Sequence, residues 1–101
     1  MGACNIDFEI KGKASRSEIE KRFEKQLISD KAHNGHQDGY SGDFQTVDRI
    51  DFSHLGETFN DYKAAYDYCL DKAEKWVTVI AVYYRNAKGE TNTLIAGWGA
   101  C

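Results

Sequence analysis

The chain has no proline, which removes one common marker of interdomain linkers. Cysteine is sparse, with only Cys4, Cys69 and Cys101 present. An odd number, widely spaced and without a Cys-x-x-Cys pair, makes neither a disulfide framework nor a zinc signature. Cys4 and Cys69 fall on expected core faces, where free cysteine acts as a small hydrophobe, and a reducing cytoplasm is the expected compartment. No apolar run approaches the ~20 residues of a membrane helix, so no membrane partner is expected. The first residues lack a basic stretch followed by an apolar one, so no signal peptide is expected either. Ile6 stands where a myristoylation start needs serine or threonine. No internal repeat or low-complexity tract is visible. The formal net charge of −3 argues against a protein whose main task is binding nucleic-acid phosphates, since such domains carry a basic face.

What is present fits one α+β domain over residues 1–101. Residues 76–84, WVTVIAVYY, are the most apolar and β-branched run, which predicts a strand buried on both faces. Cys4, Ile6, Phe8 and Ile10 alternate with Asn5, Asp7 and Glu9, the pattern of a strand with one wet face. Ser15 and Glu18 form a capping box ahead of a helix to about residue 31, with Ile19, Phe23 and Leu27 as its stripe. Glu20 and Glu24 interleave with Lys21, Arg22 and Lys25 and cancel a basic patch. Residues 43–52 predict a strand whose alternation slips near Val47–Arg49, through a bulge or a break into two short strands. Residues 53–57 predict a turn. Thr58 or Asn60 can cap a second helix over residues 60–75, with a stripe at Tyr62, Ala65, Tyr66, Cys69, Ala73 and Trp76. A hairpin turn at Asn86-Ala87-Lys88-Gly89 leads to a last strand over residues 91–98. Tyr83 and Tyr84 face opposite sides of their strand, so one of them is open to a partner, and Trp98 is a core or contact residue. The order β-α-β-α-β-β predicts two helices packed on one face of a four-stranded, mostly antiparallel sheet.

One stretch departs from this scaffold. Residues 33–42, HNGHQDGYSG, hold three glycines and two of the three histidines. His33, His36, Asp38, Tyr40, Ser41, Asp43, Phe44 and His54 form the candidate ligand- or partner-binding set. A transition metal held by His33, His36 and a carboxylate is one reading, although the spacing is not that of a zinc loop. A histidine–aspartate base activating Ser41 or Tyr40 is another. A third is an anion cradle of backbone N–H groups, with Tyr40 or Phe44 stacking on a base. The lysine and threonine of a Walker loop are missing. Against all three, glycine, asparagine, histidine and aspartate are ordinary loop residues, and Tyr40 can simply anchor the loop. No catalytic residue, metal or cofactor is assigned.

The opening Met1-Gly2-Ala3, the segment His36-x-x-Gly39-Tyr40-Ser41-Gly42, and the Lys75-Trp76 and Gly97-Trp98 pairs resemble a group of small uncharacterised phage and bacterial proteins. Those begin Met-Gly-Ala and carry a Gly-His-x-Gly-Tyr-Thr-Gly type loop. The group has no established activity, so the resemblance implies only a phage or prophage setting. In that setting, the cytoplasm of a bacterial host, the expected function is an accessory binding protein, with an anti-defence inhibitor as one concrete version, that engages a host protein or a small nucleotide-like ligand. Two alternatives stand beside it: a metal- or histidine-dependent hydrolase of nucleotides or phosphoesters that uses the loop of residues 33–42, and a structural homo-oligomer built through strand edges.

Overall fold

The apolar run becomes the middle of a mixed sheet. In the computed structural model, residues 3–34, 49–56, 58–74 and 77–100 are described. The elements are β1 (Ala3–Ile10), α1 (Arg16–Asn34), β2 (Arg49–Asp51), β3 (Thr58–Phe59), α2 (Tyr62–Lys72), β4 (Thr78–Arg85) and β5 (Thr91–Ala100). Sheet order is β1-β5-β4-β2, with β3 also paired to β4. The β1–β5 and β4–β5 ladders are antiparallel. β2 and β3 run parallel to β4, in register Arg49 with Thr78 and Thr58 with Tyr83. They occupy the same edge of β4 end to end, with residues 52–56 leaving that edge after β2.

The α+β class holds, with a five-stranded sheet in place of the expected four. The placement of both helices on one face does not hold. Ile6, Phe8, Val79, Ala81 and Ile95 pack with Ile19, Phe23 and Leu27 of α1. Ile80, Val82, Tyr84, Leu94 and Ala96 pack with Ala65 and Cys69 of α2. Successive strand residues point to opposite sides, so α1 and α2 cover opposite faces. This is what burial of β4 on both faces requires: every residue from Thr78 to Tyr84 is buried, and one layer of helices would leave half of them wet. Tyr83 and Tyr84 do face opposite sides, but at 7% and 4% exposure neither is open to a partner.

Local chemistry sets the element ends. Ser15 and Glu18 form the expected capping box, with the Glu18 N–H donating to Ser15 Oγ at 3.3 Å and the Ser15 N–H reaching Glu18 Oε1 at 3.5 Å. α1 continues to Asn34, three residues past the expected end. α2 is capped by neither Thr58 nor Asn60. Thr58 is spent in β3, so the chain turns helical only after Asp61, whose Oδ1 accepts from the Ala64 N–H at 2.7 Å. The helix closes at Lys72, and Trp98 ties it to β5 by donating Nε1–H to the Leu70 carbonyl at 2.8 Å. Trp98 is thus half-buried and structural. The hairpin turn is as expected, with Gly89 at φ +82° and Asn86 Oδ1 accepting from the Lys88 and Glu90 N–H groups.

Cys69 is a free, buried thiol, and burial pushes its pKa up to about 12, so it is an inert core residue. Cys4, by contrast, is disulfide-bonded, which corrects the expectation of a free core cysteine there. We expect Cys4 to resist alkylation in the denatured, unreduced chain while Cys69 accepts it, and both to accept after reduction. Peptide mapping by mass spectrometry reads this directly, and Cys4 labelled without reductant would contradict it. No described helix is long and apolar enough to cross a membrane.

Candidate functional site: a basic cleft beside an anchored histidine

The expected site is only partly on view. His36, Asp38, Tyr40, Ser41, Asp43 and Phe44 lie outside the described residues. His33 falls in the last turn of α1, with its side chain outside the description. His54 is described, and it has partners other than those expected.

His54 sits in the turn after β2, where the chain leaves the edge of β4. Its Nδ1 lies 2.7 Å from the Tyr68 hydroxyl on α2, and its Nε2 lies 3.4 Å from Asp51 Oδ2. One neutral tautomer satisfies both contacts: Nε2–H donates to the carboxylate while Nδ1 accepts the tyrosine O–H. Asp51 is held in turn by Ser53, whose backbone N–H and hydroxyl both donate to Oδ1, at 2.9 and 2.6 Å. Tyr68 is wedged against Phe59 at 4.8 Å between ring centroids. The chain Ser53–Asp51–His54–Tyr68 therefore fastens the loop between β2 and β3 onto α2. Both ring nitrogens thus have a partner within the protein, the closer being the tyrosine hydroxyl. Among the described residues no three His, Cys, Asp or Glu side chains come together to hold a metal ion.

The Ser53 hydroxyl and amide hold the Asp51 carboxyl below its usual value of 3.8, with His54 adding a smaller contribution. A carboxylate whose pKa is depressed on folding adds stability that is fully present above its unfolded pKa. That stability is lost as pH falls through the lower folded value. We therefore expect Asp51→Asn to remove part of the acid limb of the stability profile below about pH 4. Urea titrations from pH 2 to 7 would show it, and an unaltered profile would mean that the network adds nothing.

Beside this fastened loop lies an open cleft of about 560 Å³, within the range of small-ligand sites, ~300–1,000 Å³. Arg16, Arg49 and Lys72 bring three cations to its walls, against the carboxylates of Asp51 and Glu74. The lining carries one more cation than carboxylates, while Arg16 is also paired with Glu20 at 3.3 Å and Lys72 with Asp71 at 3.8 Å. Each cation comes from a different element. Arg16 opens α1, and its position follows from the tightly bonded connection before it. There Ala14 N–H donates to Thr93 Oγ1, Thr93 Oγ1 donates to the Gly12 carbonyl, and the Tyr83 hydroxyl donates to the Ala14 carbonyl. Arg49 begins β2, fixed by its N–H to the Val77 carbonyl at 3.1 Å. Lys72 closes α2, 5.8 Å from the Tyr68 ring centroid.

Sequence reasoning missed this group because residues 16, 49 and 72 share no motif or periodicity. Only the Asp51–His54 spacing was a readable hint. Comparison with known proteins adds no assignment: no protein-family model, curated protein or solved structure matches the chain.

Proposed function

We propose that this chain is a non-catalytic accessory binding protein, of the phage or prophage kind its Met-Gly-Ala opening suggests, and that its cleft takes a small nucleotide-like ligand through the phosphate. The observation that carries the reading is the convergence of Arg16, Arg49 and Lys72 on one open cleft. Guanidinium groups match phosphate oxygens two at a time, and an ammonium adds a point charge. The hydrolase alternative rests on residues 33–42, of which 35–42 lie outside the described residues, and turnover of a bound nucleotide is what would favour it. A bacterial cytoplasm is the setting that the resemblance implies, and the Cys4 disulfide stands against it, since disulfides are rare in a reducing compartment.

The direct test is titration calorimetry of the full chain with mononucleotides at low salt. Wild type should bind, and the nucleotide should be recovered intact by chromatography. Arg49→Ala should weaken binding about tenfold or more, as expected for loss of a charge-assisted hydrogen bond of ~1.5–3 kcal/mol. Lys72→Ala should weaken it less and flatten the salt dependence. No heat change with any mononucleotide at millimolar concentration would sink the proposal, and turnover of the nucleotide would return the hydrolase reading.

A further inference from the structure

The basic cleft does not end at Arg16. A second hollow of about 330 Å³ adjoins it and shares Arg16, Arg49, Ile50 and Phe52 as walls. The two differ in character. The first has the lysine and more cations than carboxylates in its lining. The second adds Phe23 and the carboxylates of Glu20 and Glu24, with no further cation. The wall between them is a stack: the Arg16 guanidinium lies over the Phe52 ring at 4.6 Å from its centroid. The Arg16 side chain is 70% exposed, so its outer face is open. Its edge is steadied by Glu20 Oε1 at 3.3 Å.

We infer that the two hollows form one bipartite site for a purine nucleoside monophosphate, and that Glu24 makes it prefer guanine over adenine. This rests on the phosphate reading of the basic cleft and adds the identity of the base. A planar guanidinium braced by an aromatic ring is a platform on which a base stacks. The phosphate then reaches Arg49 and Lys72 on one side, and the base edge reaches α1 on the other. Arg16, Glu20 and Glu24 recur every four residues and lie along one face of the helix. Glu20 is engaged with Arg16, whereas Glu24 makes no hydrogen bond or ion pair among the described residues. An ionised carboxylate only accepts hydrogen bonds. Guanine offers it two adjacent N–H donors. Adenine offers one donor beside an unprotonated ring nitrogen, whose lone pair a carboxylate repels. Selection of this kind works by leaving the wrong ligand with an unmatched polar edge.

The test uses the full chain and four probes: guanosine monophosphate, adenosine monophosphate, ribose 5-phosphate and inorganic phosphate, each titrated by calorimetry at one ionic strength. Wild type should bind guanosine monophosphate at least about tenfold more tightly than adenosine monophosphate, and both more tightly than ribose 5-phosphate. Glu24→Gln keeps an acceptor and gains a donor that suits the adenine ring nitrogen, so the ratio should fall towards one or invert. Arg16→Lys keeps the charge and loses the platform. It should weaken both nucleotides by a larger factor than ribose 5-phosphate, because the sugar phosphate loses only the guanidinium's share of the phosphate contact while the nucleotides lose that and the stacking platform. Equal binding of the two nucleotides, or a ratio that Glu24→Gln leaves unmoved, overturns the base assignment while leaving the phosphate cleft in place. Failure of all four probes to bind overturns the cleft and the base assignment together.

Discussion

Thr93→Val should lower the unfolding free energy by about 2–4 kcal/mol, because two backbone groups lose a partner worth ~1–3 kcal/mol each. Thr93 is fully buried. Its hydroxyl accepts from the Ala14 N–H and donates to the Gly12 carbonyl, both at 2.9 Å. Valine fills the same space, so packing is preserved and the change reads the hydroxyl alone. The orphaned groups cannot simply swing into water. The Tyr83 hydroxyl still tethers the Ala14 carbonyl at 2.6 Å, and Asn92 Oδ1 still accepts the Gly12 N–H at 3.0 Å. Equilibrium urea unfolding, with the slope unchanged, is the measurement. Thr93→Ser should retain most of the stability, because the hydroxyl stays and only a methyl group is lost. Equal losses in the two variants would mean that the hydroxyl bridge is not the stabilising element. The effect should extend to binding: this connection sets where α1 begins, and so where Arg16 stands. Nucleotide affinity of the folded Thr93→Val protein should therefore fall as well.

The second large effect is expected at Gly97, in the buried part of β5 beside β4. A Cβ placed there would stand 2.8 Å from Val79 Cγ1 and 3.1 Å from Val79 Cα. The side-chain methyl can rotate away, but the Cα belongs to the neighbouring backbone and yields only if the strands part. Gly97→Ala should therefore destabilise by about 1–3 kcal/mol through overpacking. Val79→Ala should also destabilise, by opening a cavity. If the clash is the cause, the double variant should be more stable than the sum of the two losses by about 0.5 kcal/mol or more, because contacting residues couple. Strict additivity would refute the steric account. A neutral Gly97→Ala would show that the sheet accommodates the methyl without parting.

Several parts of this protein are decided by local chemistry and are therefore legible in the chain alone. The alternation in β1 works because an edge strand has one covered and one wet face: Ile6 and Phe8 are buried while Asn5, Asp7 and Glu9 are exposed. The Ser15–Glu18 box and the Asn86–Gly89 turn depend on groups within a few residues of one another. The apolar run of β4 announces burial on both sides for the same kind of reason.

The helix placement was in principle contained in that run, since two buried faces need two covers. What the run does not say is which helix supplies which cover, because either stripe can pack on either face. β3 is two residues long. It exists only because β4 offers an edge there, and no periodicity signals so short a segment. The same limit governs the cleft. Arg16, Arg49 and Lys72 are ordinary surface cations along the chain, and the sequence determines only that each exists on its own element. That they share one cleft follows from long-range contacts: the Thr93 and Tyr83 hydroxyls that seat α1, the parallel pairing that seats β2, and the His54–Tyr68 bond that fastens the loop to α2. Strand patterns and caps are set by neighbours in sequence, whereas a shared site is set by neighbours in space, and only the folded chain brings those together.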